Sequence, residues 1–201
     1  MRYLCYGGSF NPVHLGHLIA SRAACEQKGL DRVLLIPCAD PPHKTSLAPF
    51  TIRMRMIEAA IQPKLVEQNF GIPRRFDVSD IEQIKGGKSY TIDTVRALKE
   101  QGHTDVHWLI GGDTVNLLPT WHKIEELVQE CAFVITERPG FVIDWDILPD
   151  YLKPLKANVV DVPLLNISAT SIRQRVGYRQ SLRYLVSDDV AAIIGFARLY
   201  L

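Results

Sequence analysis

Residues 2–17 read RYLCYGGSFNPVHLGH, and the order of residue types in this stretch decides the fold. Arg2 to Tyr6 is a short run of strand character, and it ends in the glycine pair Gly7 and Gly8. Val13 to Lys28 then places Leu15, Leu18, Ile19 and Ala23 at helical spacing, and Gly29 stops the pattern at the C-cap position. The stretch is strand, turn, helix. Working outward, the same order returns. Arg32 to Pro37 is apolar enough for a buried strand, Pro41, Pro42 and Pro49 mark a loop, and a helix is expected over 51–62. Phe76 to Ile81 alternates, and after the loop GGKSY, Thr91 to Gln101 is a helix ended by Gly102. Val106 to Ile110 is a strand running into Gly111 and Gly112, Lys123 to Glu130 a helix, Ala132 to Thr136 a strand and Val159 to Val162 the last one. Ser168 has the residue type and position of the N-cap of a closing helix. Residues 139–158, broken by Pro139, Gly140, Pro149 and Pro154, carry no readable period.

Consecutive parallel strands need helical crossovers, so this alternation predicts an α/β fold: a Rossmann-like, doubly wound parallel sheet with helices on both faces. The 201 residues contain neither a repeat nor a linker, so one domain over 1–201 is expected. Apolar residues at 47% and charged residues at 22% exclude collagen-like and disordered chains. With 23 basic against 22 acidic residues and a net charge of +1, no nucleic-acid partner is expected. The cysteines Cys5, Cys25, Cys38 and Cys131 form no CxxC pair and read as free thiols without assigned chemistry. No apolar run approaches the roughly 18 residues a membrane span needs, and the N-terminus is not of signal-peptide type. No membrane partner and a cytoplasmic location are therefore expected.

In such a sheet the ligand crevice lies outside the carboxyl ends of the strands. The loops after Tyr6, Pro37, Ile81, Ile110 and Thr136 should face it, and they hold the glycine pairs, PPHK, SYT, GGD and ERPG. In residues 7–17, Gly7 and Gly8 allow a phosphate close to the backbone, and a helix start adds amides and the positive end of its dipole. His14 and His17 share a face of that first turn, where two imidazoles can hold oxygens on a phosphorus as negative charge builds. Metal ligation and packing are the competing readings, and no third ligand at sensible spacing supports zinc. A second motif, NISATSIRQRV at 166–176, puts Ser168, Thr170 and Ser171 at a helix start with Arg173 one turn on. Amides, hydroxyls and a guanidinium so placed make a phosphate nest, although an ordinary capped surface helix would look the same.

Gly8, Phe10, Pro12, His14, Gly16 and His17 match the GxFxPxHxGH signature of the nucleotidylyltransferase superfamily, and ISATSIR resembles its ISSTxIR element, with Ala169 in place of the second serine. PCADPPHK, VSDIE, SYTIDT, LIGGDTVNLLPTW, ERPG and LRYLVSDDVAAII extend the likeness nearly end to end, and with them the chain resembles the nicotinate-nucleotide adenylyltransferase family. Lys85 stands where that family would have an arginine. The resemblance implies adenylyl transfer from ATP to nicotinate mononucleotide, with magnesium held mainly by the ATP phosphates and no protein metal ligands. It implies His14 and His17 as catalytic groups. Gly8, Ser9, Phe10, Gly111, Asp113, Ser168, Thr170 and Arg173 join them at ATP, and a C-terminal helical segment over about 168–201 completes that site. Lys44 would hold the mononucleotide phosphate, Thr91 and Trp121 would bracket the pyridine ring, and Arg138 would face the nucleotides. Each has a plainer reading: Lys44 a solvated loop lysine, Trp121 a core residue, Asp113 the N-cap of the next helix. His103 and His107 belong at the opposite end of the sheet, and His43 and His122 are undecided. The tail is more apolar than usual at Ile194 and Ala197, which makes it a candidate contact of a homo-oligomer.

Overall fold

The computed structural model describes residues 1–42, 47–62, 75–137 and 140–201. Six parallel strands lie in the order β3-β2-β1-β4-β5-β6. They are β1 (Tyr3–Gly8), β2 (Arg32–Pro37), β3 (Phe76–Val78), β4 (Val106–Gly111), β5 (Ala132–Thr136) and β6 (Val159–Val160). The order reverses between β1 and β4, which is the switch point where doubly wound sheets bind ligands. The expected fold class is the one observed.

The helices are α1 (Leu15–Gln27), α2 (Phe50–Ile61), α3 (Ile81–Lys85), α4 (Thr91–Glu100), α5 (Gly112–Val115), α6 (Ile124–Glu130), α7 (Ala169–Gly177) and α8 (Asp188–Phe196). The strands sort their side chains by the two-residue period. Leu4, Val33, Leu35, Leu109 and Val134 face a core layer that holds Ala24 of α1, Met56 and Ile57 of α2, Ile172 of α7 and Val190 of α8. Cys5, Leu34, Ile36, Trp108, Ile110 and Phe133 face the other layer, with Val95 and Leu98 of α4 and Leu127 of α6. The two C-terminal helices therefore pack in the same layer as the first crossover, and this brings residue 173 to the beginning of the chain. None of the described helices is long and apolar enough to cross a membrane.

Several boundaries differ from the sequence reading. Both glycine pairs begin inside strands, because Gly7 and Gly8 continue the register with β2 and Gly111 pairs with Thr136. The alternation read over 76–81 stops at Val78, and Ile81 opens the short helix α3, where Ile81 and Glu82 are buried. Strand β6 is two residues long, half the expected run. The closing segment is two capped helices: Ser168 Oγ accepts from the Ser171 N–H and Ser187 Oγ from the Val190 N–H. Residues 140–158 contain no strand; a 3-10 turn over Lys153–Asn158 tucks Leu155 into the core beside Leu148 and Leu152.

Candidate active site

A cavity of about 1160 Å³ opens at the carboxyl ends of β1 and β4. Gly8 and Ser9 reach it from β1, His14 and His17 from the start of α1, and Gly111 and Asp113 from the end of β4. Ser168, Thr170 and Arg173 line it from the N-cap and body of α7, Thr91 from the start of α4, and Trp121 from the connection between α5 and α6. Eleven of the fourteen residues singled out from sequence thus meet in one space. Phe10 is not in its wall. It is 1% exposed, and its ring stands edge-on to His17 at 5.1 Å and to Tyr6 at 5.5 Å, so it supports the histidine from behind. Lys44 and Arg138, like His43, lie outside the described residues.

The two histidines fix each other. His14 is the N-cap of α1 rather than a residue of its first turn, and the pair forms a reciprocal capping box. The His17 N–H donates to His14 Nδ1 at 3.3 Å and the His14 N–H donates to His17 Nδ1 at 3.2 Å. The rings stack with centroids 3.5 Å apart and planes at 19°. A ring nitrogen that accepts from a backbone N–H carries no proton, so both neutral rings have their proton on Nε2. The site therefore presents two imidazole donors of one defined tautomer. Gly16 makes room for this: a Cβ there would come 3.1 Å from His14 Nδ1 and 3.4 Å from Ile167 Cβ.

Two of the first amides of α1 are taken inside the protein, the His17 N–H by His14 Nδ1 and the Leu15 N–H by the Leu185 carbonyl at 2.9 Å. Gly16, between them, lines the cavity. At α7 the N-cap hydroxyl satisfies Ser171, while Ala169 and Thr170, whose amides a helix leaves without an intrahelical acceptor, line the cavity. The alanine that replaces a serine here still offers its N–H.

The two motifs touch. Arg173 Nη1 donates to the Asn11 carbonyl at 2.9 Å and its Nη2 to Thr170 Oγ1 at 3.2 Å. Behind this contact lies Arg53 of α2, 2% exposed, which sequence reading missed. Its Nη1 donates to the Ser9 carbonyl and its Nε to the Ala48 carbonyl, both at 2.9 Å, so one guanidinium ties α2 to the loop between β1 and α1. Burial lowers its pKa from the usual arginine value. The signal was present in sequence: residue 53 falls in phase with the buried Met56, Ile57 and Ile61, and a charge on an apolar helix face calls for partners.

At the other end of the cavity, Trp121 is half-buried, packed against the core with its ring 6.4 Å from Phe133, and still lines the space. Packing in the core does not keep it from the cavity wall. Tyr90, the N-cap of α4, has its ring 4.4 Å from that of His122, and both line the cavity. Asp113 is not an N-cap; Gly111 holds that position. Glu82 was also missed. It is 3% exposed and accepts from the Thr94 hydroxyl at 2.9 Å and the Ala39 N–H at 3.2 Å, while Ser89 Oγ takes the Ala39 N–H at 3.0 Å. These bonds fix the loop that leads toward Lys44.

The remaining histidines stand apart, His103 edge-on to Tyr3 at 5.4 Å and His107 3.1 Å from Asp105. The four cysteines are free thiols. Burial pushes Cys5, Cys25 and Cys131 up to about 12, 11 and 12, which leaves them unreactive, and Cys38 alone reaches the cavity.

The parallel sheet, with its cavity at the carboxyl ends of the strands, has a nucleotidyltransferase-type fold, and the chain belongs to the cytidylyltransferase-like family, whose model matches residues 5–175. More particularly, it is 38% identical to a Synechococcus protein named "Probable nicotinate-nucleotide adenylyltransferase", over 100% of this chain and 97% of that one. A protein of the same name from Exiguobacterium sibiricum is 39% identical over 96% of each chain. In fold, it is similar to Plasmodium falciparum nicotinic acid mononucleotide adenylyltransferase complexed with NaAD. The TM-score is 0.76 at 21% identity, covering 100% of this chain and 98% of that one.

Proposed function

We propose that this chain transfers the adenylyl group of ATP to nicotinate mononucleotide, giving deamido-NAD and pyrophosphate. The observation that carries the reading is the bond from Arg173 to Asn11, which sets the guanidinium of α7 against the loop of His14 and His17 at one cavity. The full-length relatives named for this reaction support the choice of substrates. The acceptor phosphate is already an anion, so no protein nucleophile is needed. One of its oxygens attacks the α-phosphorus, the bond to the bridging oxygen breaks, and pyrophosphate leaves. Holding these atoms in line is worth roughly 7–11 kcal/mol. His14 and His17 would donate from Nε2 to oxygens on the phosphorus, each such donor being worth roughly 2.7–4 kcal/mol. Arg173, Ser168 and Thr170 would hold the β- and γ-phosphates, and Asp113 the ribose hydroxyls. Gly8, Ser9 and Gly111 would admit the nucleotide close to the backbone.

Lys44 would hold the phosphate of the mononucleotide, with Thr91 and Trp121 around its ring, and Arg138 would face the nucleotides. Magnesium would be carried in mainly by the ATP phosphates. Magnesium so held would neutralise charge on the leaving pyrophosphate. Residues 168–201 complete the ATP site as part of one domain, the substrates are small molecules, and a cytoplasmic location fits both.

Pyrophosphate release with ATP and magnesium fixed, run in parallel on nicotinate mononucleotide, nicotinamide mononucleotide and pantetheine phosphate, tests this reading. The first acceptor should be turned over fastest. Preference for either of the others would replace the substrate, and ATP binding with no turnover of any would make the chain a nucleotide-binding regulator.

A further inference from the structure

Asn11 is where distant parts of the chain meet. It is 2% exposed, and its Oδ1 accepts two bonds, from the Ala48 N–H at 3.1 Å and from the Tyr200 phenol at 2.7 Å. Its main-chain carbonyl accepts from Arg173. The side chain that Tyr200 holds and the carbonyl that Arg173 holds thus belong to one residue, three positions before His14. Tyr200 adopts φ 64°, a left-handed conformation uncommon for a bulky residue. Its neighbour Leu201 is exposed, as is Arg198, yet the Tyr200 ring turns inward to Asn11. Burial pushes its phenol up to about 12, so it is a hydrogen-bond donor throughout the working pH range. Among the described residues, Tyr200 is the tail residue bonded to the amide.

We propose that Tyr200 is a positioning residue for the triphosphate half of the site: its phenol locks Asn11, and Asn11 holds the Arg173 guanidinium where the β- and γ-phosphates bind. The proposal rests on the adenylyltransferase reading and on the placement of Arg173 at the triphosphate. Tyr200 touches no substrate in this scheme and acts through Asn11 alone.

Tyr200→Phe removes the donor and keeps the ring. The apparent KM for ATP should rise roughly fivefold, as loss of one neutral hydrogen bond implies, while the KM for nicotinate mononucleotide stays unchanged. In an Arg173→Ala background the same replacement should add nothing to the KM for ATP, because its effect runs through that guanidinium. If Tyr200→Phe yields too little folded protein, Tyr200→His, whose shorter ring cannot reach the amide, should give the same split between substrates. An unchanged KM for ATP, equal losses on both substrates, or a full additional loss in the Arg173→Ala background would overturn the proposal. The failure of the underlying reading looks different: Arg173→Ala alone would then leave the KM for ATP unchanged.

Discussion

The two ends of the sheet carry the same residue types and put them to different use. At the amino end, His103 packs edge-on against Tyr3 and His107 lies beside the exposed Asp105, while Arg32 pairs with Asp77 at 3.1 Å. At the carboxyl end, His14 and His17 accept each other's backbone N–H, stack, and are backed by Phe10 and by the buried Arg53. A histidine becomes a defined donor here because its other nitrogen is already committed and its loop is held from behind. At the amino end, His107 Nε2 is committed to Asp105, and neither His103 nor His107 lines the cavity.

Replacement of one histidine from each end gives the sharpest contrast. His17→Ala should lower kcat by about 10²–10³-fold with little change in KM, the cost of one donor to a charged transition state. His107→Ala should leave kcat unchanged and shift stability by no more than about 0.5 kcal/mol. Steady-state kinetics with urea unfolding on both variants would erase the contrast if their losses were equal. Arg53→Lys should have a smaller effect on the fold, because a single ammonium cannot serve both the Ser9 and Ala48 carbonyls. One buried carbonyl left without a donor costs about 1–3 kcal/mol, read as a lower urea midpoint at unchanged slope.

The smallest effect belongs to the surface ion cluster of Arg96 with Glu126 and Glu130, both at 2.6 Å. Their hydrogen bonds to Arg96 hold both carboxyls below the ordinary glutamate value of 4.5. A lowered carboxyl pKa stabilises the fold above that ordinary value, and the contribution is lost as pH falls through the lowered one. Arg96→Gln should therefore destabilise slightly near neutrality, and the difference from the parent should vanish in thermal melts taken at acid pH.

Much of this was legible in the residues. The strand–glycine–helix order of 2–29, the apolar runs and the alternation from Phe76 placed all six strands, because buried parallel strands are short and apolar between helical crossovers. Eleven of the fourteen candidate site residues meet in one cavity, the two short motifs having been readable from residue types at short spacing and the others from the family resemblance. What stayed hidden is long-range pairing. Nothing near Tyr200 announces Asn11, 189 positions away, and nothing in HLGH shows that the two imidazoles lock each other's tautomer. Segment 140–158 was opaque for a different reason: its buried leucines, Leu148, Leu152 and Leu155, sit in irregular backbone whose shape is set by the core it covers.

The account depends on one triphosphate being gripped from both ends of the chain. A crystal structure with an ATP analogue whose α,β-bridge resists cleavage tests this directly. Arg173 should contact the β- or γ-phosphate while His14 or His17 Nε2 lies within hydrogen-bond distance of an oxygen on the same triphosphate. A triphosphate bound out of reach of Arg173, or seated away from both histidines, would contradict it.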